Sequence, residues 1–215
     1  MRHIPTLYLT QGSGNSIKPM LVVNQLDITC NLRYLDVLAG ETQQPAFLAI
    51  NPQGAVPYMT LPDGIGLAES NAIAWYLAEG SELMPANALT RAQAVRWMNF
   101  EQTALEANIS PARFFGFIAP ELGADQQHMI PVWQERGNAA LGFLDTYLQS
   151  HDFVTDHGYS VADIAVFGYT HLADEGGFRL ADYTAVSAWI ERVKAQPGYR
   201  DISELLTGEN FDKAA

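Results

Sequence analysis

Asn51-Pro52-Gln53-Gly54-Ala55-Val56-Pro57 is the stretch on which the reading of this chain turns. Proline cannot donate to a strand ladder, so Pro57 belongs at the first residue of a strand or on an edge. Two short apolar runs, 56–61 and 65–68, flank Pro62-Asp63-Gly64. That tripeptide is a turn signal, and the pair of runs reads as a hairpin. A cis Val56–Pro57 bond would turn the neighbouring backbone outward. Val56 would then offer its N–H and C=O to an extended peptide, as in strand addition. X-Pro bonds are far more often trans, and taken alone the dipeptide reads as a plain edge proline.

Residues 6–9 read as a strand ended by the turn Gly12-Ser13-Gly14-Asn15-Ser16. Ser16 or Asn15 is expected to cap a helix running to about Gln25, with Pro19 in its first turn, where a missing N–H costs little. Residues 29–37 alternate as a second strand should, which completes a βαβ unit. Ser70 is expected to cap a helix over 71–79, stopped by Gly80. The N-terminal part, 1–80, is therefore βαβ followed by ββα.

Residues 81–89 contain Pro85 and read as a linker. Beyond it, 90–215 offers no convincing strand. Helices are expected over 91–108, 119–149, 161–172 and 184–195, with Pro111, Pro120 and Pro131 as punctuation and Pro131 as a possible kink. The second domain is all-α.

Composition excludes several functions. The 215 residues are 48% hydrophobic, enough for a core, and no apolar run approaches the roughly 20 residues that span a bilayer. The N-terminus lacks an apolar signal region, so the expected location is cytoplasmic. Formal charge is -12, with 24 acids against 12 bases, which argues against nucleic acid and anionic membranes as partners. An acidic chain that binds an anion must do so locally, with helix N-termini and backbone N–H groups. The single cysteine, Cys30, excludes an internal disulfide, a Cys-x-x-Cys pair and a cysteine-based zinc site. His3, His128, His151, His157 and His171 show no metal spacing, so no metal is expected.

Glu69-Ser70 stands at a helix start, where free N–H groups and the positive dipole end favour a carboxylate. The Ser70 hydroxyl can add a bond, and Glu69 can hold an ammonium. Together they suit an α-amino-acid head group. The Gly12–Ser16 turn superficially resembles a dinucleotide fingerprint, with Asp36 as the ribose acid. Ile17 stands where the third glycine should, and the further βα units are missing. The turn still offers Ser13, Asn15 and Ser16, small polar groups beside a helix N-terminus, which stabilise a thiolate and lower its pKa.

Taken in order, these motifs resemble the cytosolic glutathione S-transferase family over essentially the whole chain. The resemblance rests on βαβ–ββα–linker–helices, on Asn51–Pro57, and on Leu67-Ala68-Glu69-Ser70-Asn71-Ala72-Ile73. Phe100-Glu101-Gln102 and the capping box Ser160-Val161-Ala162-Asp163 add to it, and the local text is similar to bacterial members. It implies a thioredoxin-like N-terminal domain and an all-helical domain carrying the second-substrate pocket. Glutathione is then a co-substrate and no cofactor is needed. Val56 would pair with its cysteinyl backbone beside cis Pro57, Glu69 and Ser70 would hold the γ-glutamyl end, and Gln44 or Gln53 would meet the glycyl end. Ser13 ranks first as the thiolate's partner, Asn15 second and Ser16 third. No cysteine occupies the position where cysteine-type bacterial members carry one, and Tyr8 lies too early for the family's tyrosine. Arg113, Phe114 and Phe117 are candidates for the hydrophobic pocket. Ser160 and Asp163 are assigned to folding, and His171 and Cys30 to the core.

The implied activity is conjugation of glutathione to an electrophilic small molecule, with a role in detoxification. The alternatives are glutathione-dependent disulfide or peroxide reduction and non-catalytic glutathione binding. A homodimer is implied.

Overall fold

The computed structural model describes residues 4–205; His3 and the ends of the chain lie outside the described residues. Residues 4–81 with 197–205 make one compact unit and residues 82–196 a second.

The first unit is built on a four-stranded sheet of order β2-β1-β3-β4: β1 (Thr6–Leu9), β2 (Asn31–Tyr34), β3 (Tyr58–Thr60) and β4 (Gly66–Ala68). β1 pairs parallel to β2 and antiparallel to β3, and β3 pairs antiparallel to β4. This is the thioredoxin-like βαβ–ββα arrangement. Alternation in β1 sends Leu7 and Leu9 into the core, both completely buried. β2 is shorter than the run 29–37 suggested. Asp36 turns the chain by accepting the Ala39 N–H, while Glu41 takes the Asp36 N–H. Cys30 falls just before the strand, half-buried, and burial pushes its thiol up to about 11.

α1 (Gly14–Gln25) and α3 (Ser70–Ala78) pack against each other. Between them in the chain comes the short α2 (Pro45–Leu48), which buries Phe47. Both helix starts differ from those expected from the sequence. The cap of α1 is Ser13, neither Asn15 nor Ser16, so Pro19 falls inside the helix rather than in its first turn. The cap position of α3 is Glu69, and Ser70 is its first helical residue. Gly80, at φ +79°, follows the helix end as expected, a conformation glycine adopts without strain.

The second unit is helical: α4 (Ala88–Phe100), α5 (Ala107–Arg113), α6 (Ile130–Leu148), α7 (Val161–Thr170) and α8 (Thr184–Lys194). α9 (Ile202–Leu205) belongs to the first unit, so the all-α stretch expected over 90–215 gives up its described end. Tyr34 there donates to the Leu205 carbonyl. The expected linker is also packed in part. Leu83 and Met84 are buried, and the Leu83 carbonyl accepts the Val161 N–H.

The single helix expected over 91–108 is longer and irregular. α4 and α5 are joined by a π-helical turn, Glu101–Glu106, and a second one, Phe114–Ile118, follows α5. Pro111 inside α5 has no N–H to give, and Ala119 then donates five residues back to Phe114. The helix expected over 119–149 starts only at Ile130. Two 3₁₀ turns precede it, and Pro131 sits in its first turn instead of kinking it.

All ten residues of α7 are buried. The capping box forms as read. Ser160 Oγ accepts the Ala162 N–H, and Asp163 Oδ2 accepts the N–H and hydroxyl of Ser160. Asp163 Oδ1 also takes the Val154 N–H and the indole N–H of Trp189 on α8, each at 3.0 Å. His171, half-buried, stacks on Phe167 at 4.2 Å.

Candidate functional site

The N-terminus of α1 gathers the first set of candidates. Ser13 adopts extended backbone, and its Oγ accepts the N–H of Asn15 at 3.2 Å and of Ser16 at 3.3 Å. Both lone pairs are used by the helix, and the hydroxyl proton is the group left to donate. Ser16 is completely buried, and its Oγ accepts the Thr10 N–H at 3.0 Å. It fastens the end of β1 to the first turn of α1. Gly12 at φ +68° makes the sharp turn that lets the two elements meet.

Asn15 carries the link to the second set. Its Oδ1 accepts the Ser70 hydroxyl at 2.9 Å across 55 residues of chain. The same oxygen accepts Lys18 Nζ at 2.9 Å, and Lys18 Nζ also reaches Ser70 Oγ at 3.4 Å. The proton directions are consistent around this triangle, since lysine only donates and Ser70 both accepts and donates. The Ser70 proton is directed at Asn15 Oδ1. The first turn of α3 has N–H groups of the kind that favour an anion.

Glu69 precedes that helix at φ 70° and ψ 117°, a conformation that non-glycine residues rarely adopt. It is exposed. Such strain costs on the order of 1–3 kcal/mol and persists where surrounding structure holds it.

The third set is the loop before β3. The Val56–Pro57 bond is cis, and Val56 precedes Tyr58, the first residue of the ladder. Asn51, buried to 3% exposure, shapes the approach. Its Nδ2 donates to the Ala55 carbonyl at 2.8 Å, and its Oδ1 accepts the Gln53 N–H at 3.2 Å. Gln43 Nε2 donates to the Gly54 carbonyl at 2.9 Å. Gln53 and Gln44 are exposed, the latter at the start of α2. Tyr8 packs between Phe47 and Tyr58 as part of the sheet face.

In the second unit, Arg113 is 7% exposed, and its Nε meets Glu175 Oε2 at 2.6 Å. Phe114 is half-buried, edge-on to Phe115. Phe117 is 60% exposed. Of the three pocket candidates, Phe117 presents apolar surface, while Arg113 is held by its carboxylate partner. Among the described residues no group of three or more His, Cys, Asp or Glu is placed to hold a metal ion.

Two residues escape a reading of the sequence alone. Asn51 reads as an ordinary turn residue, and only its burial reveals the loop it holds. Lys18 does leave a signal: it is a lone cation in the otherwise apolar run Ile17-Lys18-Pro19-Met20-Leu21-Val22-Val23.

The chain matches the family models for the glutathione S-transferase N-terminal domain over residues 12–79 and the glutathione S-transferase C-terminal domain over residues 105–197. Among solved structures it is similar to a possible glutathione S-transferase from Rhodopseudomonas palustris, at 43% identity and a TM-score of 0.88, covering 92% of this chain and 89% of that one. A glutathione S-transferase from Pseudomonas fluorescens Pf-5 is 37% identical with a TM-score of 0.87, covering 93% and 98%. Among curated relatives, glutathione S-transferase 2 of Anopheles gambiae is 30% identical over 200 residues, 89% of this chain and 91% of that protein. Matched in both units and over nearly its whole length, the chain belongs to the glutathione S-transferase family.

Proposed function

We propose that glutathione lies along Val56, with its γ-glutamyl end at Glu69 and the first turn of α3 and its sulfur beside Ser13. The Ser13 hydroxyl donates to the thiolate and lowers the thiol pKa, with Asn15 as a second donor. The thiolate attacks an electrophilic carbon. A sulfur–carbon bond forms, the leaving group departs with its electron pair, and the thiol proton has already passed to solvent. Gln44 and Gln53, exposed near the Val56 loop, suit the glycyl carboxylate, and Phe117 suits an apolar electrophile. No general base and no cofactor enter this scheme.

The observation that carries the reading is the Ser70–Asn15 hydrogen bond. It brings the proposed thiol-activating loop and the proposed head-group receptor within one contact, so one small peptide can touch both. The same reading includes a homodimer. It also includes a cytoplasmic setting, where glutathione is abundant and reduced, and a role in detoxification.

The test is calorimetric titration with glutathione and with glutathione disulfide, followed by turnover of a halogenated aromatic and of a model disulfide. Binding of glutathione with turnover of the aromatic is expected. Faster turnover of the disulfide would make the protein a reductase instead. Binding without any turnover would make it a binding protein. Binding of neither ligand at millimolar concentration would overturn the site.

A further inference from the structure

Lys18 is completely buried, and no other lysine or arginine among the described residues is so fully enclosed. Its helical neighbours Ile17, Pro19, Met20 and Leu21 are buried as well. An apolar side chain would suit that environment better, since burying a lysine head group costs free energy unless it is bonded. The head group is bonded: Nζ donates to Asn15 Oδ1 at 2.9 Å and reaches Ser70 Oγ at 3.4 Å.

That contact decides which way the Asn15 amide points. Lysine has donors and no acceptor, so the atom facing it must be the carbonyl oxygen. The Ser70 hydroxyl, donating to the same oxygen, agrees. The amide nitrogen is then on the opposite edge of the side chain.

Resting on the glutathione reading, we propose that Lys18 is a positioning residue. It locks Asn15 so that its NH2 group, and not its carbonyl oxygen, is what a sulfur anion beside Ser13 meets. It also ties the loop of α1 to the start of α3 through Ser70. Without Lys18, a charged donor that fixes the amide is gone. A rotated Asn15 would then present a carbonyl oxygen to a thiolate, a repulsive contact in place of an attractive one.

The test compares the native protein with Lys18→Met, Asn15→Ala, the double variant and Asn15→Asp. Glutathione affinity is measured by calorimetry, folding by thermal melting, and the bound-thiol pKa by the pH profile of kcat/KM for conjugation. Methionine keeps the length of lysine and removes its donor. The expected outcome for Lys18→Met is a folded protein that binds glutathione, with a bound-thiol pKa about one pH unit higher and kcat/KM roughly tenfold lower at neutral pH. The double variant should be no worse than Asn15→Ala, because Lys18 acts through Asn15. A folded Lys18→Met with an unchanged pH profile, or fully additive effects, overturns the inference. If Lys18→Met does not fold, Asn15→Asp decides. It keeps both oxygen contacts and loses the NH2, so its bound-thiol pKa must rise, and an unchanged value overturns the inference. A native protein that does not bind glutathione overturns the underlying reading and this inference with it. Native binding with an unchanged Lys18→Met profile removes this inference alone.

Discussion

Ser13 caps the helix that begins beside it by accepting the N–H of Ser16, and the same hydroxyl is the one proposed above to donate to a thiolate. The two roles use different parts of one oxygen, lone pairs inward and proton outward. Replacement by alanine removes both; replacement by glycine removes the hydroxyl but leaves a residue that caps almost as well.

Ser13→Ala is expected to lose about 1 kcal/mol of stability and Ser13→Gly only a few tenths. Both should slow conjugation alike, by roughly 10- to 100-fold, as for a lost hydrogen bond to a charged group of about 1.5–3 kcal/mol. Urea unfolding and the pH profile of kcat/KM separate the two effects. If Ser13→Gly conjugates at the native rate, the thiolate's donor is elsewhere, with Asn15 next in line.

Ser70→Ala removes the donor to Asn15 Oδ1 and an acceptor for Lys18. One neutral hydrogen bond is worth about 1 kcal/mol, so KM for glutathione should rise roughly fivefold with a smaller change in kcat. Steady-state kinetics at varied glutathione checks this. A fall in kcat at constant KM would instead place Ser70 in the control of the sulfur.

Local chemistry is legible in the sequence, and contact between distant segments is not. The capping box at Ser160 and Asp163 and the stop at Gly80 are written within a few residues of chain, and they form where expected. The start of α1 is ambiguous in the sequence because Ser13, Asn15 and Ser16 are all good caps. Only the Thr10–Ser16 contact shows that Ser16 is turned inward. The helix after Ala88 departs from expectation because periodicity does not report a π turn, which is a change of backbone hydrogen-bond spacing and not of residue pattern. Lys18 is hidden for a similar reason. A cation in an apolar run has meaning only once Asn15 and a residue from another helix are seen to meet it.

Asn51→Ala tests whether the loop before Val56 must be held. The substitution removes the bond to the Ala55 carbonyl and the acceptor for the Gln53 N–H, both around a side chain with 3% exposure. A loss of about 1–3 kcal/mol in stability is expected, together with a raised KM for glutathione. Asn51→Asp keeps the acceptor and loses the donor, and should fall between the two. Chemical denaturation and calorimetry measure the pair of effects. A loss of stability with native glutathione affinity would show that the loop's shape is not part of the site.

Asp163 gives a pH prediction whose sign is fixed by its surroundings. Burial pushes its carboxyl up from 3.8 to about 6, outweighing the hydrogen bonds from Trp189, Val154 and Ser160 that favour the charged form. The folded chain therefore binds this proton more readily than the unfolded chain does. The stability this group contributes is complete below about 3.8 and is lost as pH rises through about 6. Asp163→Asn abolishes the titration. It also turns an NH2 toward donors that need an acceptor, at a cost of about 1–3 kcal/mol for each buried donor left unpaired. The variant should melt below the native protein throughout, with the gap widest near pH 4 and narrowing by pH 7. Melting curves of both proteins across that range measure the gap. A gap that widens as pH rises would mean that the hydrogen bonds outweigh burial and that α7 is capped by a carboxylate.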